Sequence, residues 1–577
     1  MPPAVTRRAS AHTWLHRVTA YVPGVDTVSS YRRSWLPRDV VAALVLATLL
    51  VPQGMAYAEL ARLPPITGLY TTMLCLVGYA IFGPSRVLVL GPDSSLGPMI
   101  AATIVPLVGS RGDPERAVAL ASVLALLVGL VTTVVGIARL GFIADLLPKP
   151  TQIGYLAGLA LTIVVGQLPK LFGFSVSGNG LIAEAKGFVR GVADGKTVPA
   201  ALAVGVFGIV LILVLQRLLP KFPSLLLAVV LSIAAVSVFD LTDHGVKVVG
   251  VLPKGFPPFT VPHVSLSDLP TLIGGAAGIA LVALTDTIST SAAFAARRGE
   301  EVRSNQEMIG IGAANVAAGF FQGFAVSTSG SRTAVADSAG AKTQVTGVVG
   351  AGVIALMLVL VPGLLRNLPQ PTLAAIVITA SLSLADVAGL RRLWRLRRTE
   401  FVLAFTAFAG VALLGVLAGI AVAVGLSILN VFRRAWWPYE TVLGRVDGIP
   451  GYHDVRSYPD ADQPEGAVIY RFDAPLFFAN ARTFNTQIRR LAASEPPPRR
   501  IILAAAAITD VDTTAADMLA KLVTELQARG VSLVFAQLRD PVRHKLQRYE
   551  VAAVLRPGSF YPTIDAAVTD TREKSSA

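Results

Sequence analysis

The chain is poor in charge and almost without cysteine. Of its 577 residues, 15% are charged and 7% aromatic, whereas an ordinary soluble domain carries about 25% charged residues. That shortfall, with 53% hydrophobic residues and a mean hydropathy of +0.62, excludes a disordered chain and argues against a typical soluble enzyme. The single cysteine, Cys75, lies in an apolar run. It excludes an intrachain disulfide and a cysteine-based zinc site. The six histidines are scattered, mostly outside apolar segments. No metal cluster, catalytic triad or phosphate-binding glycine loop stands out, so neither an enzyme nor a bound cofactor is expected. A cleavable signal peptide is not expected either, because Arg7, Arg8, Arg17, Arg32 and Arg33 precede the first apolar run.

What is abundant is apolar sequence in long runs. About fourteen runs fall near residues 39–57, 66–83, 92–108, 117–137, 151–168, 198–219, 222–239, 269–295, 304–320, 329–340, 343–365, 371–388, 399–416 and 418–432, most of them long enough to cross a bilayer. The formal charge is +14, and much of it flanks these runs. Arg32, Arg33 and Arg38 precede the first; Arg433 and Arg434 follow the last; Arg297, Arg298 and Arg303, and Arg391, Arg392, Arg395, Arg397 and Arg398, lie between others. This pattern indicates cytoplasmic loops facing anionic lipid rather than a nucleic-acid partner. Both termini are expected on the cytoplasmic side of the plasma (inner) membrane, although Lys170, Lys186, Arg190 and Lys196 fall in an expected outside loop. Trp436 and Trp437 stand where interfacial anchors belong.

After Pro438 the composition turns polar and mixed. Residues 467–472, 500–506 and 531–537 read as strands, and 480–493 and 514–529 as helices. That alternation predicts an α/β layer fold. The linker is expected at 460–466, which is polar and contains Pro and Gly.

Two short segments carry the chemistry. Gly91-Pro92-Asp93-Ser94-Ser95-Leu96-Gly97-Pro98 opens the third run, and Ser327-Thr328-Ser329-Gly330-Ser331-Arg332 opens the tenth. Each is third in a set of seven. Paired interrupted segments point to a transporter built from inverted repeats. A helix starting at each would aim free backbone N–H groups at an anion, with Pro92 early in one helix and Ser94 and Ser95 in its first turn. Arg332 is a cation in an apolar stretch. It either supplies a positive field or forms a structural ion pair with Asp286 or Asp337. Asp286 is the only acid of its run, and Thr290 shares its helix face. Together they fit Na⁺ binding through oxygen, or Asp286 alone fits H⁺ binding. Gln53 and Tyr57, beside Pro52, share a face suited either to a substrate or to interhelical contacts. Pro52 is expected to disturb its helix. In the soluble part, Asp512 or Thr513 is expected to cap a helix, and a hydroxyl there is also a candidate for phosphorylation.

These segments together resemble the sulfate permease (SulP) family of anion transporters, related to animal anion exchangers and prestin. The matching residues are Pro52-Gln53-Gly54-Met55-Ala56-Tyr57-Ala58, Leu63-Pro64-Pro65, Gly68-Leu69-Tyr70, Gly323–Val326 with Ser331-Arg332-Thr333-Ala334-Val335, and Ala339-Gly340-Ala341-Lys342-Thr343-Gln344. The C-terminal part resembles the family's STAS domain. The resemblance implies an α-helical polytopic membrane protein built as a seven-plus-seven inverted repeat, with a mobile core domain, a gate domain and a cytoplasmic α/β STAS domain. It divides the chain into a cytoplasmic segment (1–37), a transmembrane transport domain (38–435), a linker leading into the soluble domain (436–465), and the STAS domain with its tail (466–577). It also implies a homodimer, membrane lipid as surroundings, and elevator-like transport of a small inorganic anion bound by Gln53, Tyr57, Ser94, Ser95, Thr328, Ser329, Gly330, Ser331 and Arg332. Asp286 and Thr290 fit a coupling-ion site. Two departures stand out: Gly330 replaces the aromatic common in the tenth helix, and Ala515 replaces the glycine beside the phosphorylated position of bacterial relatives, which Thr513 matches. The expected function is secondary active transport of an oxyanion, sulfate foremost, coupled to H⁺ or Na⁺. The alternatives are Na⁺-dependent bicarbonate or dicarboxylate symport, or anion exchange or a channel.

Overall fold

The computed structural model describes residues 22–109, 112–141, 148–176, 180–219 and 222–576. The chain forms two compact units, 1–427 and 428–577.

In the first unit a helix sits on each of the fourteen apolar runs. They are α1 (Leu36–Leu60), α2 (Pro65–Phe82), α3 (Gly97–Val108), α4 (Pro114–Ile137), α5 (Lys149–Leu171), α6 (Pro199–Leu218), α7 (Ser224–Val238), α8 (Leu269–Arg298), α9 (Ser304–Gly319), α10 (Gly330–Ser338), α11 (Val345–Leu360), α12 (Gln370–Leu382), α13 (Arg398–Leu414) and α14 (Val416–Trp436). Among the described residues eight helices are long and apolar enough to cross a membrane; α3, α7 and α11 are apolar but shorter. Three further helices, Pro23–Ser29, Leu181–Ala193 and Val387–Leu396, escape the sequence reading, the last two because their charges break the apolar runs. Pro52 does not end α1, which continues through it to Leu60.

The helices pack as two sets, each drawing the same positions from both halves of the chain. In one set α9 packs on α2 and α4, α8 on α3 and α4, and α10 and α11 on α1; in the other, α12 and α13 pack on α5, α12 on α6, and α6 on α7. α1 also touches α7 and α12 of the second set. Side chains at the outer surface invert the soluble pattern: Leu130, Val134, Phe207, Val210 and Leu213 are exposed, as suits helices facing lipid.

Lipid tails are as apolar as leucine, so close approach of backbones drives helix association there. Glycines at helix contacts serve that approach. A Cβ at Gly68 would lie 1.9 Å from the carbonyl oxygen of Gly54, and one at Gly154 would lie 2.0 Å from that of Ala404. These glycines let α2 meet α1, and α5 meet α13, at backbone distance.

The second unit carries a six-stranded sheet in the order β4-β3-β5-β6-β7-β8, with β3 (Glu440–Val446), β4 (Ile449–Asp454), β5 (Ala467–Phe472), β6 (Arg500–Ala504), β7 (Ser532–Ala536) and β8 (Phe560–Tyr561). β5 to β8 run parallel, while β3 is antiparallel to β4 and β5. The sheet thus takes in residues before the expected linker: β3 and β4 precede 460–466, and Asp462 bridges to Arg445. Helices α15 (Ala481–Ala492) and α16 (Thr513–Ala528) cover one face, where Phe472, Phe484, Ile501, Leu503, Leu519 and Leu522 form a core.

Candidate functional site

Two very short strands build the site. β1 (Leu90–Gly91) precedes α3, and β2 (Ser327–Thr328) precedes α10. They pair antiparallel, Leu90 opposite Thr328 and Gly91 opposite Ser327. The ladder extends by one bond from Ser329 N to the Val89 carbonyl at 3.1 Å, and Thr333 Oγ1 accepts from Val89 N at 3.0 Å. The pairing brings together two half-length helices whose starts are far apart in sequence.

Each start is organised by a short polar side chain. Asp93 Oδ1 accepts from Ser95 N at 2.9 Å and from Ser95 Oγ at 2.8 Å. Ser329 caps α10, accepting from Arg332 N at 3.4 Å, and its Oγ lies 3.1 Å from Ser331 Oγ. Free N–H groups and the positive end of the helix dipole belong to such starts.

Arg332 lies between them and is 1% exposed. Its Nη2 donates to the Pro92 carbonyl at 2.7 Å and stands 3.7 Å from Asp93 Oδ2. Nε and Nη1 are buried without a partner among the described residues. A Cβ at position 91 would fall 2.4 Å from Nη1, so only glycine leaves the guanidinium room. The sequence reading offered Asp286 or Asp337 as ion-pair partners; neither serves. Asp337 pairs with Arg298, because α10 turns it toward the end of α8. Asp93 is the acid beside Arg332.

Asp286 faces the same place from α8. Its Oδ2 accepts from Ser95 Oγ at 3.3 Å and its Oδ1 from Gln152 Nε2 at 3.4 Å. Thr290, one turn on, is the nearest side chain to Gly330: a Cβ there would lie 4.0 Å from the Thr290 hydroxyl. Thr328 Oγ1 lies 3.5 Å from Thr287 Oγ1. Gln53 and Tyr57 are buried on α1, and Tyr57 meets the Ser94 hydroxyl. Gly330 and Ser331 are exposed at the first turn of α10, while Ser94, Ser95, Thr328 and Ser329 are buried. Tyr57, Ser94, Ser95, Asp286, Thr290 and the residues from Thr328 to Arg332 therefore gather about β1 and β2, whereas Gln53 is placed only as a buried residue of α1.

Sequence reasoning missed Asp93, Gln152 and Tyr155. The last two stand on α5, of the other helix set, and the Tyr155 hydroxyl is buried without a partner among the described residues. Their signal was available as polar residues within an apolar run, but nothing local says which way they face.

A separate cavity of about 840 Å³ adjoins the first turn of α3 at Pro98 and Ala101 and runs along α5 and the α13–α14 junction. Arg62 and Glu184 line it, 3.6 Å apart. Close by, Lys170 Nζ donates to Glu59 Oε2 at 2.9 Å. Both ion pairs join the α1–α2 side to the α5 side.

In the soluble unit Asp512 caps α16, accepting from Ala515 N at 2.8 Å, and it also accepts from Phe478 N at 2.8 Å. Thr513 is the exposed first helical residue.

Comparison with known proteins agrees with this geometry. Residues 36–407 match the model of the sulfate permease family, and residues 458–567 match the STAS domain. The chain is 41% identical over 555 residues to a probable sulfate transporter of Mycobacterium tuberculosis H37Rv, covering 96% of this chain and 98% of the relative. It is 30% identical over 584 residues to probable sulfate transporter 3.3 of Arabidopsis thaliana, covering 96% and 91%. It is 32% identical over 484 residues to human solute carrier family 26 member 6, covering 79% and 63%. In fold it is similar to murine Slc26a9 in an inward-facing state, with a TM-score of 0.88 at 23% identity over 99% of this chain and 100% of that one. The transmembrane domain of the cyanobacterial bicarbonate transporter BicA gives 0.60 at 22% identity, over 68% of this chain and 99% of that one. With the family model spanning most of the helical unit and a relative matched along nearly its whole length, the chain belongs to the sulfate permease family and carries a C-terminal STAS domain.

Proposed function

We propose that this protein is a secondary active transporter of a small inorganic oxyanion, sulfate foremost, in the plasma (inner) membrane, acting as a homodimer and coupled to H⁺ or Na⁺. The observation that carries the reading is Arg332: a buried guanidinium with Nε and Nη1 unpartnered beside two helix starts. An anion with little hydration left would be held there by N–H groups, by Ser94, Ser95, Ser329 and Ser331 hydroxyls, and by charge-assisted bonds from Arg332. The names of the relatives, probable sulfate transporters at up to 41% identity, support sulfate.

The transport step is a displacement of the α1–α4/α8–α11 set against the α5–α7/α12–α14 set. Each set packs mainly within itself, which supports moving them as bodies. The α3 and α10 starts lie in the first set, so the anion would travel with it. Asp286 couples the step to a cation. It touches Ser95 of its own set and Gln152 of the other, so its charge acts on both the anion site and the sliding surface. Thr290 beside Asp286 offers a second oxygen, which favours Na⁺ as the alternative coupling ion. The STAS unit regulates this movement, with Thr513 a candidate for modification at the start of α16.

Purified protein in proteoliposomes tests the reading. Concentrative sulfate uptake under an imposed pH or Na⁺ gradient, competed by sulfate more than by bicarbonate, chloride or fumarate, is the expected result. Flux that only dissipates the anion gradient would make the protein a channel. Preference for bicarbonate or fumarate under a Na⁺ gradient would replace sulfate symport with Na⁺-driven uptake of those anions.

A further inference from the structure

We propose that Glu307 is a second proton-carrying carboxyl of this protein, set between a charged vestibule and the anion site. The proposal rests on the reading of the chain as a cation-coupled anion transporter, and it commits the coupling ion to H⁺.

Glu307 lies in the first turn of α9 and is 2% exposed. Its hydrogen-bond partners are two neutral hydroxyls: Tyr79 on α2 donates to Oε2 at 2.6 Å, and Ser291 on α8 donates to Oε1 at 2.8 Å. A purely structural carboxylate at such depth is normally held by a cation. Two hydroxyls instead serve both charge states. Each donates to the carboxylate, or one rotates and accepts from the carboxyl, since a hydroxyl is donor and acceptor alike. The group can thus take up or lose a proton without leaving a buried polar atom unpaired.

It also has a route to water. A cavity of about 300 Å³ reaches Glu307 and Ser291 and is lined by Arg86, Arg298, Glu300, Glu301 and Arg303. These are the charged groups facing it from the α2–α3 connection, the end of α8 and the α8–α9 loop. Arg298 is held by Asp337 of α10. On the far side of α9, α4 presents Thr132 and Thr133. Opposed charges at the mouth keep the vestibule hydrated without fixing a single ion.

On its inner side Glu307 joins the anion site through α8. Ser291 and Thr287 are four residues apart and so stack on one helix face. Thr287 Oγ1 lies 3.5 Å from Thr328 Oγ1 of β2. Asp286 and Thr290 occupy the neighbouring face, toward the α3 and α10 starts. A proton entering at the vestibule would meet Glu307 first and the anion-bearing strands next. In the proton step the Glu307 O–H bond breaks as water accepts the proton, and it re-forms when the carboxylate takes a proton from the other side. No other reactant is needed.

The test uses the full-length protein in proteoliposomes with radiolabelled sulfate. Glu307→Gln keeps the shape and one acceptor oxygen, exchanges the other for an NH2 donor that either hydroxyl can accept, and cannot lose a proton. It is expected to cut sulfate accumulation under an inward proton gradient by on the order of tenfold, while sulfate counterflow at equal pH stays within about threefold of wild type. Unchanged gradient-driven accumulation would overturn the proposal. If Glu307→Gln also loses counterflow, Glu307→Asp decides: an altered pH profile of uptake with counterflow intact supports the role, and an unaltered profile overturns it. Wild-type uptake driven by Na⁺ and indifferent to the pH gradient would overturn this inference alone. No sulfate, bicarbonate or fumarate flux of any kind from wild type would instead bring down the transporter reading beneath it.

Discussion

Arg332 Nη2 donates to the carbonyl of Pro92 at 2.7 Å, tying the tenth helix to the turn that leads into the third. That bond crosses the join between the two halves of the chain. It spends only one guanidinium nitrogen, leaving Nε and Nη1 free beside both helix starts.

Replacing Arg332 with alanine is expected to weaken sulfate binding by about 10- to 100-fold, the range of one or two charge-assisted hydrogen bonds. The measurement is a sulfate titration of purified protein or the KM of uptake. Gly91→Ala should act in the same direction, since the added methyl would press on Nη1. Wild-type affinity in Arg332→Ala would take the residue out of the site.

Asp286→Asn keeps an acceptor and adds a donor but removes the charge between Ser95 and Gln152. Uptake against a gradient is expected to fall to the level of simple equilibration, while exchange of labelled for unlabelled sulfate continues. Concentrative uptake with an unchanged cation dependence would defeat the coupling role.

Glu59 and Lys170 form a largely buried pair across the two helix sets, with side chains 9% and 19% exposed. Breaking one partner of such a pair leaves an uncompensated charge. Lys170→Glu should therefore lower the uptake rate several-fold, and adding Glu59→Lys should restore most of it. A double variant no better than the worse single one would show that the pair does not act as a unit.

Glu184, on the helix between α5 and α6 and outside the spanning segments, has its carboxyl raised above the ordinary glutamate range by burial, partly opposed by Arg62. The folded protein thus holds this proton more tightly than the unfolded chain. The stability linked to it is fully present below the ordinary range, roughly pH 4.3, and is lost as pH rises through the raised value. Melting temperatures of wild type and Glu184→Gln should accordingly diverge, wild type falling relative to the variant, as pH rises from the ordinary range toward neutrality. A constant difference across that interval contradicts the assignment.

Asp512→Ala removes the cap of α16 and the bond to Phe478 N. The soluble unit has its own core, so residues 438–577 expressed alone should lose about 1 kcal/mol and melt a few degrees lower. Thr513→Ala should leave the melting temperature nearly unchanged, because Thr513 is exposed and does not cap.

Local pattern carried much of this protein. Fourteen apolar runs marked fourteen helices because burial in lipid demands continuous apolar sequence. Ser329 marked the start of α10 because serine favours that position, whereas α3 begins at Gly97 with Pro98 in its first turn, so Pro92, Ser94 and Ser95 lie in the turn that precedes it rather than in the helix. Asp286 and Thr290 stood out as polar residues four apart in an apolar run. Where charge broke the pattern, in Leu181–Ala193 and Val387–Leu396, helices were missed. β3 was missed too, because Gly444, the half-exposed Glu440 and the exposed Arg445 blur its alternation.

The sequence by itself determined which segments enter the membrane, where two of them break, and which few polar residues accompany them there. Only the tertiary structure decided what those residues face. Arg332 meets Asp93 and Pro92 rather than Asp286 or Asp337, Asp286 meets Gln152 of the opposite helix set, and Glu307 meets Tyr79 and Ser291. The reason is physical: helix formation depends on neighbours a turn away, whereas these contacts join residues brought together by an antiparallel strand pair and by close glycine-mediated packing, and periodicity along one segment says nothing about its partner's register.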